Sequence, residues 1–219
     1  MTQPSSATKP SLVMKKPPAQ QRAAATYERI LDVTAETLVE VGIERLSTNL
    51  VCERASLSPP ALYRYFPNKY ALLHELGCRL MQRQNELIPL WITPEIFAGT
   101  ESELETALTN LILETYFVTE RTVGGMWIMR SMRAVPVLHE VLLESHNQVT
   151  EIQSQLLSEA FPTIDIQQLR LICRVAVELI HATVELLFDE ALDKRGAAAV
   201  SAAMISSYAQ RIQSSSGDE

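Results

Sequence analysis

The residues best suited to chemistry in this sequence lie in the stretch SPPALYRYFPNKYALL, residues 58–73. It combines adjacent prolines, three tyrosines, an arginine and a lysine. Tyrosine, arginine and lysine side chains bind phosphate oxygens, and arginine pairs bidentately with guanine. A segment that serves only as core does not require this mixture. The stretch therefore predicts a surface that lies against DNA, and the open alternative is that its tyrosines are core residues at helical spacing.

Two short predicted helices position these side chains. Ser47 is a favourable N-cap for a helix over residues 48–55, and residues 56–58 form a three-residue turn. Ser58 caps the second helix, whose first positions are prolines, and Pro67 limits its length to about nine residues. This arrangement is a helix-turn-helix. With Leu62 and Phe66 facing the core, the side chains between them must point elsewhere.

The stretch VGIERLSTNLVCERASLSPPALYRYFPNKYALL, residues 41–73, resembles the DNA-binding motif of TetR-family transcriptional regulators. The matching features are Gly42, the LST of residues 46–48, S-x-x-ALY-x-YF over 58–66 and NK-x-ALL over 68–73. They occur in the family's order and spacing. The resemblance implies an all-α fold, with an N-terminal three-helix DNA-binding domain and a larger helical-bundle domain for ligand binding and dimerisation.

The resemblance also implies particular contacts with DNA. Thr48 and Asn49, at the start of the second helix, would touch the backbone or base edges, and Pro60 would make an apolar contact with a base. Arg64 is the base reader that its chemistry favours, with phosphate binding as the alternative.

Phosphate contact is implied for Tyr63, Tyr65 and Lys69, and Tyr63 would also bridge to a base. Lys69 begins a helix, where its charge and the first N–H groups both attract a phosphate. The sequence departs from the family at Ser56, where glycine is usual in the turn. A serine with positive φ there would reduce stability.

The chain as a whole is predicted to be helical, since only 7 of its 219 residues are glycine and β-branched runs are scarce. Residues 1–22 form a predicted flexible, basic, Pro/Ser-rich tail, either a solvated leader or an arm that binds phosphates. The predicted DNA-binding domain is 23–73, and the effector-binding and dimerisation domain is 74–219. Neither a signal peptide nor a membrane span is expected, so we predict a cytoplasmic protein.

The distribution of charge supports this division. The net charge is −7, but residues 1–80 hold 10 Lys+Arg and 7 Asp+Glu, whereas residues 81–219 hold 9 and 19. The front of the chain is therefore +3 and the remainder −10. Such asymmetry indicates that only one part meets a polyanion.

Candidate ligand-binding residues occur in GGMWIMRSMRAVP, residues 124–136. Met126, Trp127 and Met129 would line an adaptable apolar pocket, with ordinary core as the alternative. Arg130 and Arg133 would meet an anionic ligand or pair with acidic side chains.

Glu178 and His181 share a helix face and would form pocket hydrogen bonds, dimer contacts or a solvated edge. No metal, cofactor or catalytic residue is predicted. The last two long helices are the predicted dimer elements. Their candidate stripes are Leu169, Ile172, Val175, Ala176, Leu179, Thr183, Leu186 and Leu187 on the first, and Ala198, Ala202, Ile205 and Ala209 on the second.

The resulting functional prediction is a homodimeric transcriptional regulator that binds double-stranded operator DNA. In this family a regulator is most often a repressor, which a small-molecule effector in the C-terminal domain releases from the operator. Two alternatives stay open: a constitutive DNA-binding protein without effector, and a helical enzyme with a DNA-binding appendage. No nucleophile–base set or phosphate loop favours the enzyme.

Overall fold

The computed structural model describes residues 21–215. Within them the all-α prediction is confirmed, because eleven helices and no strand are present. The helices are α1 (Gln21–Arg45), α2 (Thr48–Arg54), α3 (Pro59–Tyr63), α4 (Lys69–Asn85), α5 (Ile88–Trp91), α6 (Pro94–Ala98), α7 (Glu101–Arg121), α8 (Gly125–Ala134), α9 (Pro136–Ala160), α10 (Ile166–Asp189) and α11 (Lys194–Ser215). None of these helices combines the length and apolar character needed to cross a membrane. The predicted tail lies outside the described residues, except that its last two residues begin α1.

The chain divides into two compact units. The first unit contains the residues up to Leu80 together with Val123–Leu142, and the second contains Met81–Thr122 and the residues from Leu143 onward. This grouping differs from the predicted domains 23–73 and 74–219, because it adds α8 to the first unit. The reason is packing, since α8 contacts α1 and buries Ile128, Met129 and Met132.

The first unit is organised around α1, which carries a buried apolar face and ends near Gly42. Gly42 has φ 72° and ψ 171°, a conformation open to glycine and strained for other residues. The ring of Tyr27 on α1 stacks on Phe66 at a centroid distance of 4.9 Å. A Cβ on Gly124 would come within 3.1 Å of the Ala35 carbonyl oxygen, so a glycine is needed for this approach to α1.

The second unit is built on α7, which packs against α10 and α11. Thr100 and Glu103 form a capping box at the start of α7, and their reciprocal bonds satisfy two N–H groups. Ala202 and Ala209 on α11 are fully buried in a cluster with Leu104 and Leu108 of α7.

The structure corrects the predicted dimer stripe on the last helix. Ala198, Ala202 and Ala209 have exposures of 0%, so they cannot form an outer surface. Their small side chains instead allow α11 to approach the rest of its own unit closely. On α10, Leu169, Thr183 and Leu187 are likewise buried, whereas Val175 is 57% exposed.

Candidate nucleic-acid interface and internal cavity

The helix-turn-helix forms as the sequence predicts. The Ser47 hydroxyl accepts a hydrogen bond from the Leu50 N–H at 3.2 Å and caps α2. Ser56 has φ 52°, so the turn contains a serine in the left-handed region. Ser58 occupies the N-cap position of α3, although its side chain makes no capping hydrogen bond, and prolines fill the first helical positions.

The helix α3 has five residues, fewer than the nine predicted. Its course continues as a turn, in which the N–H groups of Tyr65 and Phe66 both donate to the Leu62 carbonyl. Leu62 and Phe66 are 0% exposed, which confirms their core role. Tyr63 is 43% exposed and Arg64 is exposed, so both point away from this core.

The structure brings together two of the predicted DNA-contacting residues. The Thr48 hydroxyl at the start of α2 lies 3.1 Å from the Tyr63 hydroxyl at the end of α3. This hydrogen bond orients an exposed tyrosine and joins the two helices. Asn49 and Pro60 are also exposed. The result is a surface of hydroxyl, amide, ring and proline groups above an apolar core.

Arg64 supplies a cation to this surface. Within residues 22–214 its guanidinium has neither an ion pair nor a hydrogen bond. The five N–H donors of a guanidinium are then all open to a base or a phosphate.

Tyr65 and Lys69 are held by the protein itself. The Tyr65 ring is half-buried and packs edge-on against Tyr27 at 6.1 Å. The Lys69 ammonium donates to the carbonyls of Ile43 and Leu46, each at 3.2 Å, which leaves one of its three donors for a phosphate. DNA contact by these two residues stays a prediction.

The residues predicted from the 124–136 stretch all belong to the first unit. Met129 is buried at 2%, Met126 and Trp127 are half-buried, and Arg130 and Arg133 are exposed. The Arg130 guanidinium lies over the Trp127 ring, 5.6 Å from its centroid. This contact gives the two side chains a structural role, and ligand binding by the stretch stays a prediction.

Glu178 and His181 belong to the second unit, in a polar cluster with His146 of α9. His146 Nδ1 lies 3.0 Å from Glu178 Oε1, and the imidazole centroids of His146 and His181 are 4.5 Å apart. Arg174 Nη1 lies 2.6 Å from the same carboxylate oxygen. Partial burial raises the pKa of Glu178, but the hydrogen bond from His146 and the charge of Arg174 outweigh it, so that the pKa falls below its ordinary value. No local sequence pattern connects His146 with this cluster, because 32 residues separate it from Glu178.

A partly open cavity of about 80 Å³ lies in the second unit. Four helices, α7, α9, α10 and α11, and the segment around α5 and α6 line it, and its surface is apolar. The lining residues are Ile88, Ile92, Phe97, Leu104, Leu108, Leu111, Val149, Gln153, Leu157, Ile172, Cys173, Ala176, Val177, Ile180, Ile205 and Ala209. None of the seven predicted ligand-binding residues is among them. Burial raises the pKa of the Cys173 thiol to about 11, so the thiol stays neutral.

One feature of the sequence does point to this cavity. Val149, Gln153 and Leu157 follow each other at four-residue steps on α9, so a polar side chain interrupts an apolar stripe. A buried polar side chain requires a hydrogen-bonding partner. The sequence signal is therefore a polar residue at a position of α9 where the helical period otherwise places apolar residues.

An apolar groove with a volume of about 370 Å³ lies on the outer surface of α10 and α11. Val175, Met204 and Tyr208 line it and are 57%, 62% and 50% exposed. Ile172, Ala176 and Ile205 line both this groove and the cavity. The cavity and the groove therefore share these three side chains as a common wall.

Residues 30–76 match the family model of bacterial regulatory proteins of the tetR family. HTH-type transcriptional regulators of Mycobacterium bovis and Mycobacterium tuberculosis, described as uncharacterized, are 33% identical over 112 residues. The match covers 47% of this chain and 57% of each relative, so the chain spans little more than half the length of the curated relatives it matches. Both relatives are named as transcriptional regulators.

Solved structures show the same fold over nearly the full chain. A TetR-family transcriptional regulator of Streptomyces coelicolor is 26% identical, with a TM-score of 0.53 over 85% of this chain and 99% of that one. A protein described as a TetR-family regulator of Syntrophomonas wolfei has a TM-score of 0.66 at 13% identity, over 87% of this chain and 97% of that one. The second similarity concerns the fold alone.

Proposed function

Because the chain belongs to the TetR family of bacterial regulatory proteins, we propose that it is a sequence-specific transcriptional regulator that binds operator DNA in the cytoplasm. The observation that carries the proposal is that the residues after Pro60 are divided between the core and the exposed surface. Leu62 and Phe66 are fully buried, whereas Tyr63 and Arg64 are exposed. The core fixes the backbone, and the exposed side chains are those that suit phosphates and base edges.

The exposed residues take separate roles in DNA recognition. Arg64 reads a base in the major groove, where a bidentate pair with guanine contributes about 1–3 kcal/mol of discrimination. Tyr63, held by the Thr48 hydroxyl, contacts a phosphate and fixes the orientation of the helix. Asn49 and Pro60 complete the surface with a polar and an apolar contact.

The protein acts as a homodimer in this proposal. One helix of five residues touches few base pairs, and two copies related by a two-fold axis read two half-sites roughly 34–36 Å apart or a multiple of that distance. The groove of α10 and α11 supports the choice of interface, because Val175, Met204 and Tyr208 expose apolar surface that a second copy would cover.

The regulatory ligand is a small-molecule effector in the second unit, and the protein is a repressor that the effector releases from its operator. The shared wall supports this part of the proposal. An occupant of the cavity presses on Ile172, Ala176 and Ile205, which also form the floor of the proposed interface. The effector changes DNA affinity only by its differential affinity for the two dimer states.

Fluorescence anisotropy tests DNA binding directly. The full-length protein is titrated into labelled DNA from upstream of its own gene, at two salt concentrations and against random competitor DNA. Tight binding that resists competitor is the expected result. Weak binding that salt abolishes would contradict recognition of that site and move the search to other operators, selected from random DNA with the same protein.

Arg64→Ala is the matched test of the surface. It should weaken specific binding by about 1–3 kcal/mol and leave stability within about 0.5 kcal/mol, because Arg64 is exposed and unpaired within residues 22–214. Arg121→Ala removes the same charge from an exposed position in the second unit and should leave specific binding unchanged. Equal losses in both variants would mean that only net charge matters.

A constitutive DNA-binding protein is the remaining alternative, and DNA binding alone does not exclude it. Compounds that raise the melting temperature are therefore added to the protein–DNA complex. Release of DNA by a stabilising compound supports the regulator, and retention of DNA by a saturated protein supports the constitutive protein.

A further inference from the structure

We propose that Lys69 is a positioning residue of the DNA-binding surface, and that it acts by clamping the segment between α1 and α2 rather than by binding a phosphate. The clamped segment is residues 43–47, which leads from the end of α1 to Thr48 at the start of α2. The inference rests on the proposed function, because it concerns how the surface for operator DNA is held in shape.

The ammonium group of Lys69 joins the start of α4 to two carbonyl groups of this segment. Its Nζ lies 3.2 Å from the Ile43 carbonyl oxygen and 3.2 Å from the Leu46 carbonyl oxygen. Within residues 22–214 no backbone N–H donates to either carbonyl, so the lysine satisfies acceptors that the end of α1 leaves open. A lysine at the end of a helix is also favoured by the negative end of the helix dipole.

The segment itself has a single buried side chain as its anchor. Leu46 is 1% exposed, whereas Glu44 and Arg45 are exposed. The helical backbone is already interrupted at Gly42, with φ 72° and ψ 171°. A buried side chain fixes the position of one residue but leaves the peptide groups around it free to rotate. Two hydrogen bonds from one nitrogen fix the orientation of both carbonyls relative to α4.

The clamped segment is continuous with the residues proposed to meet DNA. Ser47 follows Leu46 and caps α2, and the hydroxyl of the next residue, Thr48, lies 3.1 Å from the Tyr63 hydroxyl. A change at the Leu46 carbonyl therefore moves both the cap of α2 and the hydroxyl that orients Tyr63. Exposed binding residues act only when the groups beneath them hold a productive geometry, and Lys69 is such a group.

The same contacts leave Lys69 poorly placed to bind a phosphate. Two of the three donors of its ammonium are engaged, and its side chain is half-buried. The Nζ also lies 5.6 Å from the centroid of the Tyr70 ring, a cation–π contact that favours this position. Phosphate binding would exchange these contacts for a solvated one. The exposed Arg64 carries its charge with no such restraint within residues 22–214.

Hydrogen exchange of the free full-length protein tests the clamp without DNA. Lys69→Met keeps the approximate length of the side chain and removes its donors. The amides of residues 43–50 should then exchange about tenfold faster, because the segment opens more often without the two charge-assisted hydrogen bonds. Lys194→Met removes the same charge from the second unit and should leave these amides unchanged. Unchanged exchange of residues 43–50 in Lys69→Met would overturn the proposal.

The salt dependence of DNA binding separates positioning from phosphate binding. The probe is a DNA site selected from random sequences with the wild-type protein. Lys69→Met should weaken specific binding by about tenfold, while the slope of log K against log salt concentration stays within about 0.3 of the wild-type slope. Loss of a phosphate contact would reduce the slope by about 0.9, and that reduction would overturn the proposal.

A double-mutant cycle tests whether the clamp acts through Thr48. Thr48→Val removes the hydroxyl at nearly constant shape, and should weaken specific binding by about 3–10-fold in the wild type. In the Lys69→Met background the same change should have little effect, because the orientation of Tyr63 is then already lost. Equal losses in both backgrounds would overturn the connection between Lys69 and the DNA-binding surface.

The exchange measurement also separates this inference from the proposed function. Faster exchange in Lys69→Met, combined with a wild-type protein that selects no DNA site, would contradict the proposed function and leave the clamp standing. If Lys69→Met does not fold, Lys69→Gln takes its place, because it ends in a polar group but lacks the charge and the length of lysine. Wild-type exchange rates in Lys69→Gln would then overturn the role of the ammonium.

Discussion

The two compact units use side chains in opposite ways. In the first unit, the residues proposed to act lie on the surface, and the buried residues beside them hold the backbone. In the second unit, the cavity is formed by buried and partly exposed side chains from helices far apart in the sequence, and the surface contributes an apolar groove. The proposed DNA-binding surface of the first unit is therefore polar, whereas the cavity and the groove of the second unit are apolar.

This difference explains why a motif describes one unit and not the other. The spacing of Leu62, Tyr63 and Phe66 decides locally which side chain is buried, so one short stretch contains both the core and the surface. The lining of the cavity includes Phe97 together with Cys173 and Ala209, which lie 76 and 112 residues later in the chain. No pattern within one helix specifies that proximity.

The contrast between buried and exposed residues in the first unit is tested most strongly by Phe66→Ala and Tyr63→Ala. Phe66 is fully buried and stacks on Tyr27, so its truncation should lower the free energy of unfolding by about 3–5 kcal/mol. Tyr63 is 43% exposed, and its truncation should change stability by less than about 1 kcal/mol while weakening DNA binding. Denaturant unfolding measures both. Similar losses would show that Tyr63 belongs to the core.

The role of the groove of the second unit as the dimer interface is tested by Val175→Glu. The two-fold axis of the proposed dimer places the new carboxylates of both copies in the same interface. Buried like charges should weaken association by on the order of 3 kcal/mol, seen as monomers in sedimentation analysis at micromolar concentration. Ile152→Glu is the control, because Ile152 is 48% exposed on α9 and outside the groove. A dimer that survives Val175→Glu would exclude the groove as the interface.

Ser56→Gly tests how far the turn is strained. Serine with φ 52° is unfavourable by roughly 1–2 kcal/mol, of which the flexibility of glycine in the unfolded chain offsets part, so the variant should gain about 0.5–1 kcal/mol. Gly42→Ala should instead lower the stability of the fold, because alanine is strained at φ 72°. Thermal unfolding measures both, and a loss of stability in Ser56→Gly would contradict the expected strain.

The smallest expected effect is at the surface ion pair of the first unit. Arg79 donates to both Glu28 oxygens, at 2.6 and 2.8 Å, and this hydrogen bonding lowers the pKa of Glu28 from 4.5. The carboxylate is half-exposed, so Glu28→Gln should lose at most about 1 kcal/mol near neutral pH.

The pH dependence of that loss follows from the direction of the shift. A carboxyl group whose pKa is lower in the folded protein than in the unfolded chain stabilises the fold at pH values above its unfolded-state pKa. This stabilisation disappears as the pH falls through the folded-state pKa. The difference between the wild type and Glu28→Gln should therefore be present near pH 7 and shrink below pH 4.5. Denaturant unfolding across this range measures it, and a difference independent of pH would exclude the carboxylate charge as its cause.

The predicted site residues illustrate what could be read in advance. Thr48, Asn49, Pro60, Tyr63 and Arg64 lie at or near the surface, as the motif implied. Lys69 does not point freely outward, since two backbone carbonyls bind its ammonium, and these lie more than 20 residues earlier in the chain. The exposure of a side chain can be predicted when its neighbours in sequence decide it, and not when a distant segment does.

By itself, the sequence determined the helical class, the helix-turn-helix, the strained serine of the turn and the resemblance to the family, because all of these depend on side-chain periodicity, capping residues and local backbone preference. Only the tertiary structure decided that α8 belongs with α1, that the alanines of α11 pack inside their own unit, and that Gln153 lines an apolar cavity. The physical reason is that burial of a helix face depends on which distant helix covers it, and an apolar face does not specify its partner.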